Sequence, residues 1–392
     1  APWWPPAPNK RPSRIQDIAV WVQHETGGDL ATLVAEVKEF AKFMRVPIGF
    51  HWYVWHKIPF DNDYPHFFPA KDGFVKAVRQ LEDAGVRVMP YINGRLWDAD
   101  LDDFKSEGIK AVTKNERGEP YIEDYGNGVR NAVMNPVTQI WQNKIKDIVL
   151  KLQQNSGTSG VYLDQISAAS PKLCMDITHG HPLGGGSWWL DQGYYKLLSA
   201  IRDEMPEGAF LTSEAMAEPY NHLLDGLLSW NSQFQNQKPI YSAIYGGRIS
   251  IFGRNNPVGP KKHKALIMRA GQQLVFGEQI GWISPKILKE TEPAKFLRKM
   301  AQTRYKLIDY FVDGQMLPPP IVRGDIPNIT ADWEWGENDP SDITISALQR
   351  GAWQANDGKI IKIFVNVSDE TIYFSTPNAH KTDEDKISLP SY

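Results

Sequence analysis

Two acidic residues follow short apolar runs, and their positions indicate acid–base chemistry. Asp164 ends the run Gly-Val-Tyr-Leu, and Glu214 ends the run Phe-Leu-Thr-Ser. An acidic side chain directly after a buried strand either lies at the mouth of a site or forms a structural ion pair. Two such carboxyls suit glycoside hydrolysis, which needs one carboxylate as nucleophile or base and one carboxylic acid to protonate the leaving oxygen. We therefore predict Asp164 as nucleophile and Glu214 as general acid/base, with Asp225 as the competing acid.

Aromatic and polar side chains beside the carboxylates indicate a sugar site. A pyranose ring stacks its C–H faces on Trp or Tyr, while its hydroxyls need polar partners, and the 392 residues include 14 Trp. Because Trp52 and Tyr53 are adjacent in a strand, they point to opposite faces. Loop capping or ion pairing is the alternative role for Asp98 and Glu278. The residues predicted to bind substrate are His51, Trp52, Trp55, Asn93, Arg95, Trp97, Asp98, Gln165, Trp230, Arg254 and Glu278.

Other chemistries have weaker sequence support. The segment Thr178-His179-Gly180-His181 places two imidazoles near Asp176 but shows no third ligand, so we interpret it as a loop pair rather than a metal site. We accordingly predict no metal and no organic cofactor. No Gly-x-Ser-x-Gly elbow marks a serine nucleophile. The single cysteine, Cys174, cannot form an internal disulfide and is interpreted as structural.

The elements that must position these residues alternate between strand and helix. Strands are predicted at 18–22, 47–55, 86–92, 160–164, 209–214, 227–230, 249–252 and 279–283. Helices are predicted at 30–43, 74–84, 137–152, 188–205, 263–276 and 294–311. Eight strand–helix units predict an α/β fold, the (β/α)8 or TIM barrel, whose catalytic groups lie at the carboxyl ends of the strands. A doubly wound sheet is the rival, but no Gly-rich phosphate fingerprint follows the first strand.

The chain changes character after Pro318-Pro319-Pro320, and three regions are predicted. Residues 1–16 form a Pro- and Trp-rich strap or linker, residues 17–316 the catalytic barrel, and residues 317–392 a small all-β module resembling a β-sandwich. Within that module Asp357-Gly358 is predicted as the turn of a hairpin.

Composition narrows the class of partner. Lys and Arg number 43 against 46 Asp and Glu, so the chain lacks the basic excess of a nucleic-acid binder. Its aromatic content and low net charge exclude wholesale disorder. No apolar stretch reaches the length of a membrane span. The expected partner is therefore a carbohydrate substrate. Because the chain begins at Ala1, we expect that a signal peptide or preceding segment was removed, which favours an extracellular or periplasmic location.

The segments Gly160–Gln165 and Thr212–Glu214 carry a resemblance to a known group of enzymes. The chain resembles bacterial glycoside-hydrolase barrels related to the α-amylase superfamily. It is most similar to the endo-α-N-acetylgalactosaminidase branch and to a barrel family labelled only as a domain of unknown function. The resemblance implies that Asp164 is the nucleophile, that Glu214 is the acid/base, and that a β-sandwich follows the barrel. Tyr162 stands where α-amylases have an Arg, so starch specificity is not implied.

The leading hypothesis is a retaining glycoside hydrolase that cleaves an oligo- or polysaccharide. Retention requires carboxyls about 5 Å apart, whereas inversion requires about 6.5–9.5 Å. The alternative is a non-catalytic carbohydrate-binding barrel whose carboxylates only accept hydrogen bonds from sugar hydroxyls. A third hypothesis is a lyase- or phosphatase-type barrel that uses a metal on the loop of His179 and His181.

Overall fold

The computed structural model describes residues 13–24, 29–183, 188–229, 234–256, 259–334, 341–377 and 384–392. Its strands are β1 (Val20–His24), β2 (Ile48–Trp52), β3 (Val86–Asn93), β4 (Leu96–Asp98), β5 (Ile122–Glu123), β6 (Asn131–Val133), β7 (Gly160–Asp164), β8 (Phe210–Glu214), β9 (Gly226–Leu228), β10 (Ser250–Phe252), β11 (Ile280–Ile283), β12 (Gln315–Leu317), β13 (Asn328–Asp332), β14 (Asp342–Ser346), β15 (Leu348–Gln354), β16 (Ile360–Asn366), β17 (Ile372–Pro377) and β18 (Glu384–Leu389).

The α-helices lie between these strands and beside them. They are α1 (Ser13–Gln16), α2 (Leu30–Met44), α3 (Phe74–Glu82), α4 (Asp102–Ser106), α5 (Gln139–Leu150), α6 (Tyr195–Glu204), α7 (Ile240–Tyr245), α8 (His263–Val275), α9 (Thr291–Lys306) and α10 (Ile308–Val312). Two π-helical segments, Lys151–Asn155 and Trp189–Tyr194, extend α5 and precede α6. None of the helices in the described part of the chain is long and apolar enough to cross a bilayer.

Eight strands form one sheet in the order β10-β9-β8-β7-β3-β2-β1-β11. The first and last strands of that order come together, because the amide of Gln279 donates to the carbonyl of Ile251 at 2.8 Å. The amide of Asn256 likewise donates to the carbonyl of Trp282 at 3.1 Å. The sheet is thus a nearly closed parallel barrel, and the predicted (β/α)8 fold is confirmed. All eight barrel strands overlap the segments predicted for them.

Local sequence explains why the elements begin and end where they do. Asp29 caps α2, since its carboxylate accepts hydrogen bonds from the amides of Ala31 and Thr32 at 3.2 and 3.0 Å. In α3 the buried residues Phe74, Ala77, Val78 and Leu81 recur at helical spacing on one face. The predicted closing helix at 294–311 is instead two helices, α9 and α10, because the backbone leaves the helical region at Leu307.

The chain divides into two compact units. The first comprises Ala1–Ile15, His24–Ala35 and Phe50–Leu227, and the second comprises Gln16–Gln23, Glu36–Gly49 and Leu228–Tyr392. The first unit contains β3, β7 and β8, together with α3, α5 and α6. Its strands β7 and β8 approach so closely that a Cβ on Gly160 would lie 2.0 Å from the ring of Phe210. Glycine is therefore required at the start of β7.

The second unit contains β1, β10 and β11 with α8, α9 and the antiparallel strands that follow residue 315. Trp21 of β1 stacks on Phe252 of β10 with ring centroids 4.5 Å apart. Trp353 of β15 is buried and donates from Nε1 to the carbonyl of Val275 at 3.1 Å, which holds the β15–β16 hairpin on α8. Gly358, with φ 84°, occupies the predicted hairpin turn. Residues 1–12 of the predicted strap lie outside the described residues, and the domain boundaries at 16 and 316 stay predictions.

Candidate active site

Asp164 and Glu214 end adjacent parallel strands of the barrel. Leu163 of β7 pairs with Ser213 of β8, so the two acidic residues follow in the same register. Adjacent strands lie about 4.8 Å apart, and equivalent positions on parallel strands point their side chains to the same face. Each carboxylate is followed by a residue in the left-handed region, Gln165 with φ 66° and Ala215 with φ 57°. Non-glycine residues rarely adopt this conformation, and where they do the strain often marks a functional turn.

Two tyrosine hydroxyls hold the carboxylate of Asp164. Tyr162, two residues earlier on β7, donates to Oδ1 at 2.9 Å, and Tyr91 on β3 donates to Oδ2 at 3.0 Å. Burial and the negative charge of Glu214 raise the pKa of Asp164 to about 8, although both hydroxyls act in the opposite direction. The two carboxyls therefore interact, and the pair keeps one proton at neutral pH.

An aromatic cluster surrounds this carboxylate. His51 lies between Tyr53 and Tyr162, with ring centroids 4.6 and 4.5 Å away. Tyr53 stacks on Tyr91 at 4.9 Å, and Phe60 packs on both of these tyrosines. Burial lowers the pKa of His51 well below its usual value, so the imidazole is neutral at pH 7. Phe60 is 39% exposed and gives the cluster an apolar edge that faces solvent.

Serine side chains tie the ends of β7 and β8 together. Ser213 donates from Oγ to the carbonyl of Leu163 at 2.6 Å and accepts from the amide of Ser167 at 3.2 Å. The hydroxyl of Ser167 donates to the carbonyl of Glu214. These bonds join the turn after Asp164 to the turn after Glu214, and they fix the backbone of both acidic residues.

Arg95 and Gln165, both predicted to bind substrate, bond to each other beside the carboxylates. Arg95 forms a two-point ion pair with Glu123, at 2.6 and 2.9 Å, and also donates to Oε1 of Gln165 at 3.2 Å. Gln165 donates to the hydroxyl of Tyr125, which in turn donates to Glu123 at 2.8 Å. The Arg95 guanidinium and the Tyr125 hydroxyl hold the pKa of Glu123 below its usual value despite partial burial. This group therefore carries a charged, ordered hydrogen-bond network.

Asn93 ends β3 opposite Asp164 in the parallel register. Its Oδ1 accepts from the amides of Arg95 and Leu96 at 2.9 and 3.0 Å, which shapes the turn after the strand. Its buried Nδ2 has no hydrogen-bond partner among the described residues. A buried amide donor without a partner is costly, so a hydrogen-bond acceptor on a ligand is its natural complement.

Three of the tryptophans predicted to stack on sugar lie in packed interiors. Trp52 contacts Phe50 and Phe74, and the Nε1 of buried Trp55 donates to the carbonyl of Tyr91 at 2.7 Å. Trp97 is buried against Trp141. Tyr53, the residue directly after β2, contacts Tyr91 instead. Substrate contact by these tryptophans stays a prediction, and none of their described contacts involves Asp164 or Glu214.

The remaining predicted residues have other environments. Asp98 is buried and accepts from the amide of Asp100 at 3.0 Å, as a loop cap does. The competing acid Asp225 is buried, and its Oδ2 accepts from Arg202 at 2.7 Å and from the amide of Leu211 at 2.9 Å. In the second unit, Arg254 and Glu278 form a buried two-point ion pair at 2.7 and 2.5 Å. Trp230 lies outside the described residues.

Sequence reasoning missed Tyr91, Glu123 and Tyr125 as parts of the site. The alternation of a strand could have found the first of them, because Tyr91 shares a face of β3 with Asn93, just as Tyr162 shares a face of β7 with Asp164. Glu123 ends the two-residue strand β5, which pairs with β6 and lacks a recognisable pattern of its own.

The chain is thus a (β/α)8-barrel protein with a coupled pair of carboxyls at the ends of adjacent strands. A family model described as "Domain of unknown function (DUF6259)" matches residues 4–256, and the chain belongs to this family. A relative from Bacteroides thetaiotaomicron, named "Putative glycoside hydrolase", is 30% identical over 374 residues. That match covers 92% of this chain and 54% of the relative, so the chain spans about half the length of that protein.

Solved structures share the fold at low sequence identity. The α-N-acetylgalactosaminidase NagBb from Bifidobacterium bifidum, in a GalNAc complex, superposes with a TM-score of 0.60 at 9% identity, covering 90% of this chain and 59% of that one. The maltogenic α-amylase AmyB from Thermotoga neapolitana has a TM-score of 0.57 at 12% identity, covering 93% and 88%. Identities this low support the fold alone.

Proposed function

We propose that the protein is a retaining glycoside hydrolase in which Asp164 is the nucleophile and Glu214 the general acid/base. The observation that carries the proposal is that these two acidic residues end adjacent parallel strands in the same register, with two hydroxyl donors on one of the carboxyls. Both the relative named as a glycoside hydrolase and the glycosidase structures of the same fold support this class of reaction.

The division of roles follows from the hydrogen bonds. The reactive form of the pair has Asp164 ionised and the proton on Glu214, and the hydroxyls of Tyr91 and Tyr162 that donate to Asp164 favour this form. Ionised Asp164 attacks the anomeric carbon, and Glu214 protonates the departing oxygen. Glu214, now a carboxylate, then removes a proton from water as the water attacks the glycosyl ester, which releases the sugar and restores both groups.

Register supports retention rather than inversion. Side chains in the same register on adjacent parallel strands start about 4.8 Å apart, close to the separation of about 5 Å that a retaining pair needs. Burial is the larger cause of the raised pKa of Asp164, and the charge of Glu214 adds to it, as expected for neighbouring carboxyls.

The surrounding groups suit a sugar. The Tyr53–Tyr91–Phe60 cluster offers an aromatic surface, and the unpartnered Nδ2 of Asn93 offers a donor to a sugar hydroxyl. α-Amylases have an Arg two residues before the nucleophile, whereas this chain has the uncharged Tyr162 at that position. Asp164 therefore has no cationic partner two residues before it. Starch specificity is therefore not carried over, and the proposed substrate is an oligo- or polysaccharide.

The test combines product stereochemistry with azide rescue. The wild-type protein is screened on a panel of oligosaccharides and aryl glycosides, and NMR follows the anomer released first, which should keep the configuration of the substrate. Asp164→Ala should lose turnover by at least about 10³-fold, and azide should restore it with a glycosyl azide of inverted configuration. Glu214→Ala should lose most activity on poor leaving groups, and azide should give the retained configuration.

A matched control is Glu218→Gln, an exposed acidic residue four positions after Glu214, which should keep wild-type turnover. Wild-type turnover by Asp164→Ala would overturn the assignment. Binding of a glycan by calorimetry with no product released would instead identify a non-catalytic carbohydrate-binding barrel.

A further inference from the structure

We propose that Cys174, His179 and His181 form a site for a transition-metal ion, with zinc as the ion it fits best. One ligand atom from each of the three side chains lies within 4.8 Å of the other two, and the Sγ of Cys174 is 3.4 Å from the Nδ1 of His179. Ligand atoms of a tetrahedral zinc site lie about 3.3–3.6 Å apart, given bonds of about 2.0–2.1 Å to nitrogen and about 2.3 Å to sulfur. The Cys174–His179 pair already has this spacing, and the other ligand atoms, at most 4.8 Å apart, would have to move closer to hold an ion.

Backbone carbonyls fix the tautomers of both imidazoles. The Nε2 of His179 lies 3.0 Å from the carbonyl oxygen of Lys110, and the Nδ1 of His181 lies 3.1 Å from that of Pro182. A carbonyl only accepts hydrogen bonds, so these ring nitrogens carry the protons. The lone pairs are then on Nδ1 of His179 and Nε2 of His181, which are the atoms facing the cluster. Metal-binding histidines have this arrangement, with the other ring nitrogen donating to a carbonyl or carboxylate.

Asn135 marks the point on which the two lone pairs converge. Its Nδ2 donates to Nδ1 of His179 and to Nε2 of His181, both at 2.9 Å, while its Oδ1 accepts from the amide of Val137 at 3.0 Å. A metal ion would replace these two hydrogen bonds with coordinate bonds. Asn135 would then lie next to the fourth coordination position, which a water molecule completes.

The donor set selects the kind of ion. One thiolate and two imidazoles suit zinc and its neighbours in the transition series, whereas calcium and magnesium require oxygen ligands. The amide of Lys114 approaches the sulfur of Cys174 at 3.5 Å and would stabilise a thiolate. The ammonium group of Lys114 is paired with Asp176 at 2.6 Å, so this cation does not compete for the sulfur.

The location of the cluster indicates a structural role. Its ligands belong to the segment between β7 and α6, which begins directly after Asp164, and its supporting groups come from Lys110 and from Asn135 before α5. The ring of His181 also stacks on Trp188, with centroids 4.3 Å apart and planes at 7°. A bound ion would cross-link this segment and the two supporting loops within the first unit.

The test measures metal content and uses cobalt as a spectroscopic probe. Protein purified without chelator and dialysed should retain one zinc per chain, measured by mass spectrometry of the metal. Chelator should lower the Tm, and added zinc should restore it. Cobalt(II) substitution should give tetrahedral d–d bands and a thiolate charge-transfer band. Because Cys174 is the single cysteine of the chain, that second band can come only from its sulfur.

Three variants of the site and one control variant test the proposal. Cys174→Ser should abolish the charge-transfer band, and His181→Ala should weaken zinc binding by at least about 100-fold. Asn135→Asp adds a carboxylate at the fourth position and should tighten zinc binding, which a simple hydrogen-bonded cluster would not do. His66→Gln, which alters a histidine paired with Asp103, should bind zinc as the wild type does. Absence of retained zinc, of any rise in Tm with zinc and of the cobalt bands would overturn the proposal.

Discussion

The hydroxyl of Tyr91 donates a hydrogen bond of 3.0 Å to Oδ2 of Asp164, across the parallel pairing of β3 and β7. Tyr162 donates to the other oxygen from within β7. Two neutral donors thus favour the ionised form of Asp164. Burial and the charge of Glu214 outweigh these two hydroxyls, so the pKa of Asp164 stays high.

Removing one of these donors should change both the rate and its pH dependence. In Tyr91→Phe the pKa of Asp164 rises, because the hydrogen bond that lowered it is lost. The proton of the pair then moves towards Asp164, and we expect kcat/KM to fall about tenfold, as the loss of a hydrogen bond to a charged group predicts. The pH profile should shift to higher pH. Tyr305→Phe, at an exposed position, is the control; an unshifted profile in Tyr91→Phe would contradict this role.

Asp164→Asn should stabilise the fold near neutral pH. The pKa of Asp164 is raised from 3.8 to about 8, so the carboxyl contributes its full stability below its unfolded pKa and loses it as the pH rises through about 8. The amide has no such loss. We expect the gain of the variant over the wild type to grow as the pH rises from 4 to 8 and to reach several kcal/mol.

Denaturant unfolding at several pH values measures this difference. Asp72→Asn, at a side chain that is 95% exposed, should show a difference from the wild type that does not vary with pH. If the free energy of unfolding of Asp164→Asn also differs from that of the wild type by the same amount at every pH, the pKa of Asp164 is not raised in the folded protein.

The barrel and its carboxylates were predictable because their signals are local in sequence. Each barrel strand is a short apolar run, and Asp164 and Glu214 directly end two of them. Strand alternation could place Tyr91 on the same face as Asn93, but its hydrogen bond to Asp164 was not predictable, since that bond depends on how β3 and β7 align, and the chain between those strands does not fix their register. The sequence showed His179 and His181 as a pair without a third ligand, because nothing in the spacing indicates that the chain folds Cys174 back onto His179.

The tryptophans show the limit of composition as evidence. Their abundance indicated a sugar site, yet Trp55 and Trp97 are buried in packed interiors. The aromatic side chains in contact around Asp164 are tyrosines and His51. Adjacent residues of an extended chain, such as Trp52 and Tyr53, face opposite sides. Once the side of one of them is known, this alternation separates the buried tryptophans from the tyrosines around Asp164.

Glu123→Gln should destabilise the protein through Arg95. The guanidinium of Arg95 is 2% exposed and forms its two-point ion pair with Glu123, so the variant leaves a buried charge without its counter-ion. Breaking a buried pair in this way costs about 3 kcal/mol, and denaturant unfolding measures it. Lys172→Gln removes a more exposed partner of Glu123 at 3.8 Å and should cost less than about 1 kcal/mol. Equal costs in the two variants would contradict the importance of the Arg95 pair.

The variant Glu278→Ala distinguishes a structural ion pair from substrate binding, the two roles considered for Glu278. Arg254 is fully buried, and Glu278 accepts two of its hydrogen bonds while Gln272 accepts a third at 2.5 Å. Loss of the carboxylate should therefore lower the free energy of unfolding by about 3–5 kcal/mol. The matched control is Asp72→Asn, which breaks the exposed Lys57–Asp72 pair and should cost less than about 1 kcal/mol. A raised KM with unchanged unfolding in Glu278→Ala would instead make Glu278 a substrate ligand, as its position before the eighth strand first suggested.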